Sequence, residues 1–128
     1  MRITRQVAKE LLYEAILLAV PTAEIVLLHE HNLLLAAAHM GTGLLGAALW
    51  PPFRGVRFYI LGAAVGTVVE IVCTHAGAWH YTNPSFLGIP LWLPFAWGWV
   101  TLLLRTIAGT TAKMLGRADG ACQAADPC

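Results

Sequence analysis

Charged residues are scarce in this 128-residue chain: Asp, Glu, Lys and Arg make up 12% of it, and its formal net charge is +1. So little basic charge argues against nucleic-acid binding. Cysteine is scarce too, and three cysteines cannot build a disulfide framework in a chain this long. The chain also lacks the polar composition that is typical of disordered proteins, because 58% of its residues are hydrophobic and its mean hydropathy is +0.66. The composition therefore predicts an integral membrane protein.

Four apolar stretches account for most of the chain and predict an all-α fold, an integral membrane four-helix bundle. They are residues 11–28, 33–49, 58–78 and 86–107. Each is about long enough to cross a ~30 Å hydrocarbon core as a helix. We expect the four-span bundle to cover residues 1–112 and a cytoplasmic C-terminal tail to cover residues 113–128.

The distribution of basic residues predicts the orientation of these spans. Lys and Arg occur only in the N-terminal arm, in the second connection and towards the C-terminal end: Arg2, Arg5, Lys9, Arg54, Arg57, Arg105, Lys113 and Arg117. The first and third connections carry none. By the positive-inside bias, both termini are expected in the cytoplasm, with the chain in a bacterial-type inner (plasma) membrane.

Three ionisable residues fall inside the predicted spans: Glu24, His39 and Glu70. Placing such a group at the centre of a membrane costs about 2.5 to 3.5 kcal/mol on insertion scales, so each needs a partner within the protein or a wet cavity. With a rise of ~1.5 Å per residue, all three lie in the outer half of the bundle. We expect them to form one polar site there, in which Glu70 and His39 are the candidate catalytic pair and Glu24 is a ligand-binding residue.

Small residues indicate which faces of the second and third spans meet. Each polar residue shares a helical face with two glycines: Gly43 and Gly46 with His39, and Gly62 and Gly66 with Glu70. Small residues allow helix backbones to approach closely in lipid. In antiparallel register, this packing predicts a direct contact between His39 and Glu70.

The first span carries its own polar face, formed by Glu10, Glu14, Pro21 and Glu24. We expect this face to point into the bundle, with Glu10 and Glu14 close enough to the cytoplasmic interface to be solvated. Pro21 has no N–H, so the carbonyl of Leu17 loses its helical donor.

Four of the five histidines collect at the outer ends of the spans: His29, His31, His75 and His80. Imidazole binds zinc, copper and iron, which makes these residues candidate metal ligands. Their spacing has no diagnostic pattern, and histidines exposed at a membrane interface are the commoner interpretation. Similarly, His39 is either the axial ligand of a haem or chlorophyll or the partner of Glu70.

The fourth span opens with two prolines and several tryptophans. Pro90 and Pro94 predict a kinked or partly unwound entry. Trp92, Trp97 and Trp99 are candidate ligand-binding residues, because flat rings inside a bundle pack well against a polyene, a quinone or a sterol. The same rings can simply fill the core.

The sequence EIVCTHAGAWHY at 70–81, the Gly-Ile-Pro at 88–90 and the later Trp97 resemble a known family. Residues 70–97 are similar to the membrane carotenoid biosynthesis proteins that include the bisanhydrobacterioruberin hydratases. The resemblance implies addition of water to an apolar polyene, with Glu70 at the position of the family's membrane carboxylate. Glu70 would then act as general acid beside His39.

The sequence is compatible with three classes of function. The small size favours a subunit or hydrophobic-ligand binder of a larger membrane complex, holding pigment or lipid. The alternatives are a carotenoid hydratase-like enzyme and a small transporter protomer. Three cofactors are candidates: a carotenoid, a haem and a chlorophyll. The expected partners are membrane lipids, together with other membrane subunits or a second copy of this chain. We expect no nucleic-acid partner.

Overall fold

The computed structural model describes residues 4–51 and 54–124, with side chains as far as residue 116. It is all-α, with four helices: α1 Arg5–Leu28, α2 Asn32–Leu49, α3 Val56–His75 and α4 Leu93–Ala124. Among the described residues, three helices are long and apolar enough to cross a membrane, namely α1, α2 and α3. Their large apolar side chains are mostly exposed, as in Leu27, Leu33 and Leu61.

The two connections at 29–31 and 76–92 lie at the same end of the bundle, which we call the loop end. Side-chain amides tie them together: Asn32 Nδ2 donates to the carbonyl of Asn83 at 2.7 Å, and Asn83 Nδ2 donates to the carbonyl of Glu30 at 2.7 Å. The opposite end, which we call the base, joins the start of α1 to the distal part of α4. There Lys113 contacts Glu10.

Helix α4 lies at the centre of the packing and contacts each of the other three helices. Among the described residues, no Cα atom of α2 or α1 comes within 8 Å of one in α3. The buried apolar residues follow α4 in two clusters. One, near the loop end, holds Leu35, Ala36, Ile89, Trp92 and Leu93; the other, nearer the base, holds Trp50, Leu102 and Leu103.

The predicted packing of α2 against α3 is wrong, although its glycines are sites of close approach. A methyl group on Gly66 would fall 2.2 Å from Cγ of Trp97, and one on Gly43 would fall 1.8 Å from Cε2 of Trp99. Both partners belong to α4. The glycines accommodate wide indoles of a third helix, which separates α2 from α3.

The fourth helix begins later than the sequence pattern indicated. Residues 86–92 form a turn, in which the Phe86 N–H donates to the Ile89 carbonyl at 3.1 Å and the Ile89 N–H donates back at 2.9 Å. Gly88 has a positive φ of 81°, which glycine adopts without strain. Pro94 lies in the first turn of α4, where a missing N–H costs nothing. The unwound entry expected from the two prolines is thus confirmed.

Helix α4 also continues beyond the boundary predicted at 112. It runs without interruption through Lys113 to Ala124, so residues 113–124 extend the helix of the bundle. With a rise of ~1.5 Å per residue, its first 20 residues already cover about 30 Å.

Candidate functional site

The most deeply buried imidazole, His39, pairs with a carboxylate of the neighbouring helix α1. Its Nδ1 lies 2.8 Å from Oε2 of Glu24, and only 1% of the His39 side chain is exposed. Thr42, one turn further along α2, donates its hydroxyl to Oε1 of Glu24. The Trp92 ring meets the imidazole edge to face, with 5.9 Å between ring centroids. Two of the three predicted polar residues therefore do form one site.

The predicted contact between His39 and Glu70 is wrong. The helices that carry them, α2 and α3, are separated by α4, and His39 is turned towards α1. The sequence placed both residues at the same depth in the bundle, but depth along an axis does not fix the direction in which a side chain points.

Glu70 accepts hydrogen bonds from three aromatic side chains. Its Oε2 accepts from Trp79 Nε1 at 3.0 Å and from the Tyr81 hydroxyl at 2.8 Å, while Oε1 accepts from Trp97 Nε1 at 3.3 Å. Burial, followed by the bond to Glu70 and its charge, raises the pKa of Tyr81. This arrangement fastens the 76–92 connection to α3 and α4.

The four outer histidines do not form one cluster among the described residues, although His75 and His80 line the same pocket. Nδ1 of His29 contacts the carbonyl of Val26 at 3.1 Å, and Nδ1 of His75 contacts the carbonyl of Ile71 at 2.9 Å. Over the part of the chain that the structure describes, no three His, Cys, Asp or Glu side chains are grouped so as to hold a metal ion. The metal-ligand role of His29, His31, His75 and His80 therefore stays a prediction, without a three-residue ligand set among the described residues.

A second buried polar cluster lies at the base, where Glu10 and Glu14 were expected to be solvated. That expectation is wrong, because Glu10 is 4% exposed and Glu14 is 5% exposed. Thr110 donates to Glu14 Oε1 at 2.6 Å, and Lys113 Nζ lies 2.8 Å from Glu10 Oε1. The shared helical face of the two glutamates indicated that they would point inward. No sequence signal marked Thr110, which is 96 residues from Glu14, as their partner.

A cleft of about 350 Å³ opens between α2 and α3, where α4 forms its floor. Its walls are almost entirely apolar, with Met40 and Leu44 from α2, Tyr59 from α3 and Trp99 from α4, and Arg54 lies at the basal end. Trp99 meets Tyr59 edge to face at 4.6 Å. The cleft exists because α4 keeps α2 and α3 apart, and its size is within the range of small-molecule sites.

The three candidate ligand-binding tryptophans have different surroundings. Trp99 lines the cleft, Trp97 bonds to Glu70, and Trp92 packs in the core beside His39. His39 itself borders a separate pocket of about 80 Å³, whose lining also includes the exposed side chain of Leu18. A haem or chlorophyll does not fit there, because even drug-sized ligands occupy about 300 Å³ or more.

Comparisons with protein-family models, with curated proteins and with solved structures find no match for this chain. The resemblance of residues 70–97 to carotenoid hydratases therefore stays a prediction.

Proposed function

We propose that this chain is a small multi-pass membrane protein that binds an elongated hydrophobic molecule, a lipid or a polyene pigment, in the α2–α3 cleft. It acts as a ligand-holding subunit of a larger membrane assembly. The observation that carries the proposal is the cleft itself, which is apolar, open and floored by Trp99. An aromatic floor and aliphatic walls offer dispersion contacts to an apolar chain and few polar groups to anything else.

Helix length and exposure support the membrane setting. Three helices reach span length, and their outer faces carry large exposed side chains such as Leu12, Leu27 and Val72. In water these surfaces would form apolar patches well beyond those of soluble monomers. In a bilayer they face lipid at no such cost.

Charge supports an orientation with the base in the cytoplasm of a bacterial-type inner membrane. The basic side chains in the described range gather towards the base, where Arg105 Nη1 donates to the Arg54 carbonyl at 3.0 Å and Lys113 pairs with Glu10. The loop end instead carries Glu30 and histidines. The positive-inside bias then places both termini in the cytoplasm.

A pair of matched variants tests ligand binding in the cleft. Leu44 and Leu45 are neighbours on α2 with nearly equal exposure, 61% and 59%, but only Leu44 is among the cleft-lining residues. The Leu44→Trp side chain should fill part of the cleft, whereas Leu45→Trp should face lipid. Organic extraction and mass spectrometry of protein purified in mild detergent should recover a bound lipid or pigment from wild type and Leu45→Trp, with a clear loss from Leu44→Trp.

An absorption spectrum and the particle mass complete the experiment. A coloured particle identifies a pigment, and a mass well above that of one chain plus its detergent supports a subunit of an assembly. Equal ligand content in both tryptophan variants, or no stoichiometric ligand in wild type, would contradict the proposal.

A further inference from the structure

The ligand cleft between α2 and α3 has two chemically different ends. It runs from Met40, near the middle of α2, past Leu44 to the base, where Arg54 and Gly55 line it. At ~1.5 Å per residue, the stretch of α2 from Met40 to Ala47 covers about 10 Å. The part towards the middle of the bundle is therefore apolar and aromatic, whereas the basal end carries a guanidinium.

A second guanidinium lies beside the basal end of the cleft. Arg105, on α4, donates from Nη1 to the Arg54 carbonyl at 3.0 Å. The same Nη1 atom is close to the cleft wall, because a methyl group on Gly55 would fall 2.7 Å from it. Its guanidinium carbon Cζ lies 4.6 Å from the centroid of the Phe58 ring, and this contact helps to position it. The fold thus places two arginines from distant parts of the sequence at one end of the cleft.

No carboxylate of the described residues neutralises these two arginines. The ion pairs in that part of the chain involve Glu10 and Glu24, and neither includes Arg54 or Arg105. Both arginines donate instead to uncharged backbone carbonyls, Arg54 to that of Ala47 at 2.8 Å. A guanidinium has five N–H donors, so each one keeps its charge and further donors for an anion.

We infer that the cleft selects an anionic phospholipid, whose phosphate contacts Arg54 and Arg105 while one acyl chain lies over Trp99 towards Met40. The inference rests on the proposed function and narrows its ligand to a lipid with an acidic head group. Guanidinium groups match phosphate oxygens in charge and in geometry. Basic pockets between membrane helices on the cytoplasmic side are typical sites for acidic lipid head groups. A neutral polyene would fill the apolar part of the cleft and leave both charges without a partner.

The direction of the cleft agrees with the orientation of a phospholipid in a bilayer. The cleft is open between α2 and α3, and its charged end lies at the base while its apolar walls extend towards the middle of the bundle. A phospholipid of the adjoining leaflet has its phosphate at the interface and its chains directed to the membrane centre. It can therefore enter sideways, and its head group does not have to cross an apolar region.

Native mass spectrometry of the full chain, released from nanodiscs, tests the selection. The nanodiscs contain equal amounts of phosphatidylglycerol, which is anionic, and phosphatidylcholine, which has no net charge, with identical acyl chains. We expect wild type to retain phosphatidylglycerol in preference, with a contribution of roughly fivefold from each arginine.

Arg54→Gln and Arg57→Gln form a matched pair, because each removes one exposed arginine at the same end of the bundle. Arg57 lies in the first turn of α3 and is not among the residues that line the cleft. Arg54→Gln should lower the preference for phosphatidylglycerol roughly fivefold, whereas Arg57→Gln should leave it nearly unchanged. Arg54→Lys keeps the charge and should retain most of the preference.

The apolar part of the cleft supplies a second, independent measurement. Leu44→Trp should lose the bound phosphatidylglycerol, and Leu45→Trp should keep it. Because Arg54 also donates to carbonyls at the end of α2, Arg54→Gln is open to a folding defect, and the two tryptophan variants then decide the question. A preference that persists in Leu44→Trp, or that falls equally in Arg54→Gln and Arg57→Gln, would assign it to the basic surface as a whole and overturn the inference.

Failure of this inference differs from failure of the proposed function. A bound lipid without preference for phosphatidylglycerol, or a neutral polyene in the organic extract, would overturn the inference while supporting a hydrophobic-ligand site. The absence of any stoichiometric ligand would contradict both.

Discussion

Replacing Gly66 by alanine places a methyl group 2.2 Å from Cγ and 2.8 Å from Cβ of Trp97. These are the atoms at the root of the Trp97 side chain, so rotation of the indole does not relieve the overlap. Helices α3 and α4 have to separate, or the Trp97 backbone has to shift. Because Trp97 Nε1 bonds to Glu70 Oε1 at 3.3 Å, either movement strains or breaks that bond.

The expected loss of stability combines two effects. Overpacking of a well-packed contact costs about 1 to 3 kcal/mol. Losing a hydrogen bond to a charged group costs about 1.5 to 3 kcal/mol. We expect Gly66→Ala to lower the free energy of unfolding by roughly 3 kcal/mol or more if both effects operate.

Gly41→Ala is the matched control for this prediction. Gly41 lies in α2, and a methyl group there meets nothing within 4 Å. Alanine is a better helix former than glycine, so this variant should gain about 0.5 to 1 kcal/mol. Denaturant unfolding of both variants in one detergent, followed by tryptophan fluorescence, measures the difference. A Gly66→Ala protein as stable as Gly41→Ala would refute the placement of α4 against α3.

Two further predictions concern the polar contacts. Lys113→Met removes a half-exposed donor from Glu10, which still accepts from Gln6 and Thr110, so it should cost about 1 kcal/mol or less, and Glu10→Gln combined with Lys113→Met should cost less than the sum of the two single changes. Since the pKa of Tyr81 is raised, the fold favours the neutral phenol. This stabilisation is complete below about pH 10, where an unfolded tyrosine titrates, and is lost as the pH rises further. Tyr81→Phe should lack that alkaline decline in unfolding titrations; an identical decline in both proteins would contradict it.

Helices α1, α2 and α3 followed closely from hydropathy, because a run of about 20 apolar residues has few alternatives to a helix, whereas α4 begins and ends later than its apolar stretch. Helical periodicity also predicted the polar face of α1, and Glu10 and Glu14 do point inward. Proline chemistry predicted the unwound entry to α4, since Pro90 and Pro94 cannot both lie inside a regular helix.

The sequence did not predict which polar residues contact one another. Periodicity identifies which residues share one face of a helix, but it carries no information on which neighbour covers that face. The glycines of α2 and α3 predicted a contact between those helices, yet the indoles of Trp97 and Trp99 occupy the space over Gly66 and Gly43. As a result, His39 pairs with Glu24, and Glu70 bonds to aromatic donors.

The sequence by itself determined four helical segments, the gathering of basic residues towards one end, and the presence of ionisable groups that need partners inside the protein. These properties depend on composition and on spacing along single helices. Only the tertiary structure decided that α4 lies between α2 and α3, and with it the cleft and the Glu24–His39 pair. The reason is that packing depends on the volumes of side chains from different helices, which no single helical pattern contains.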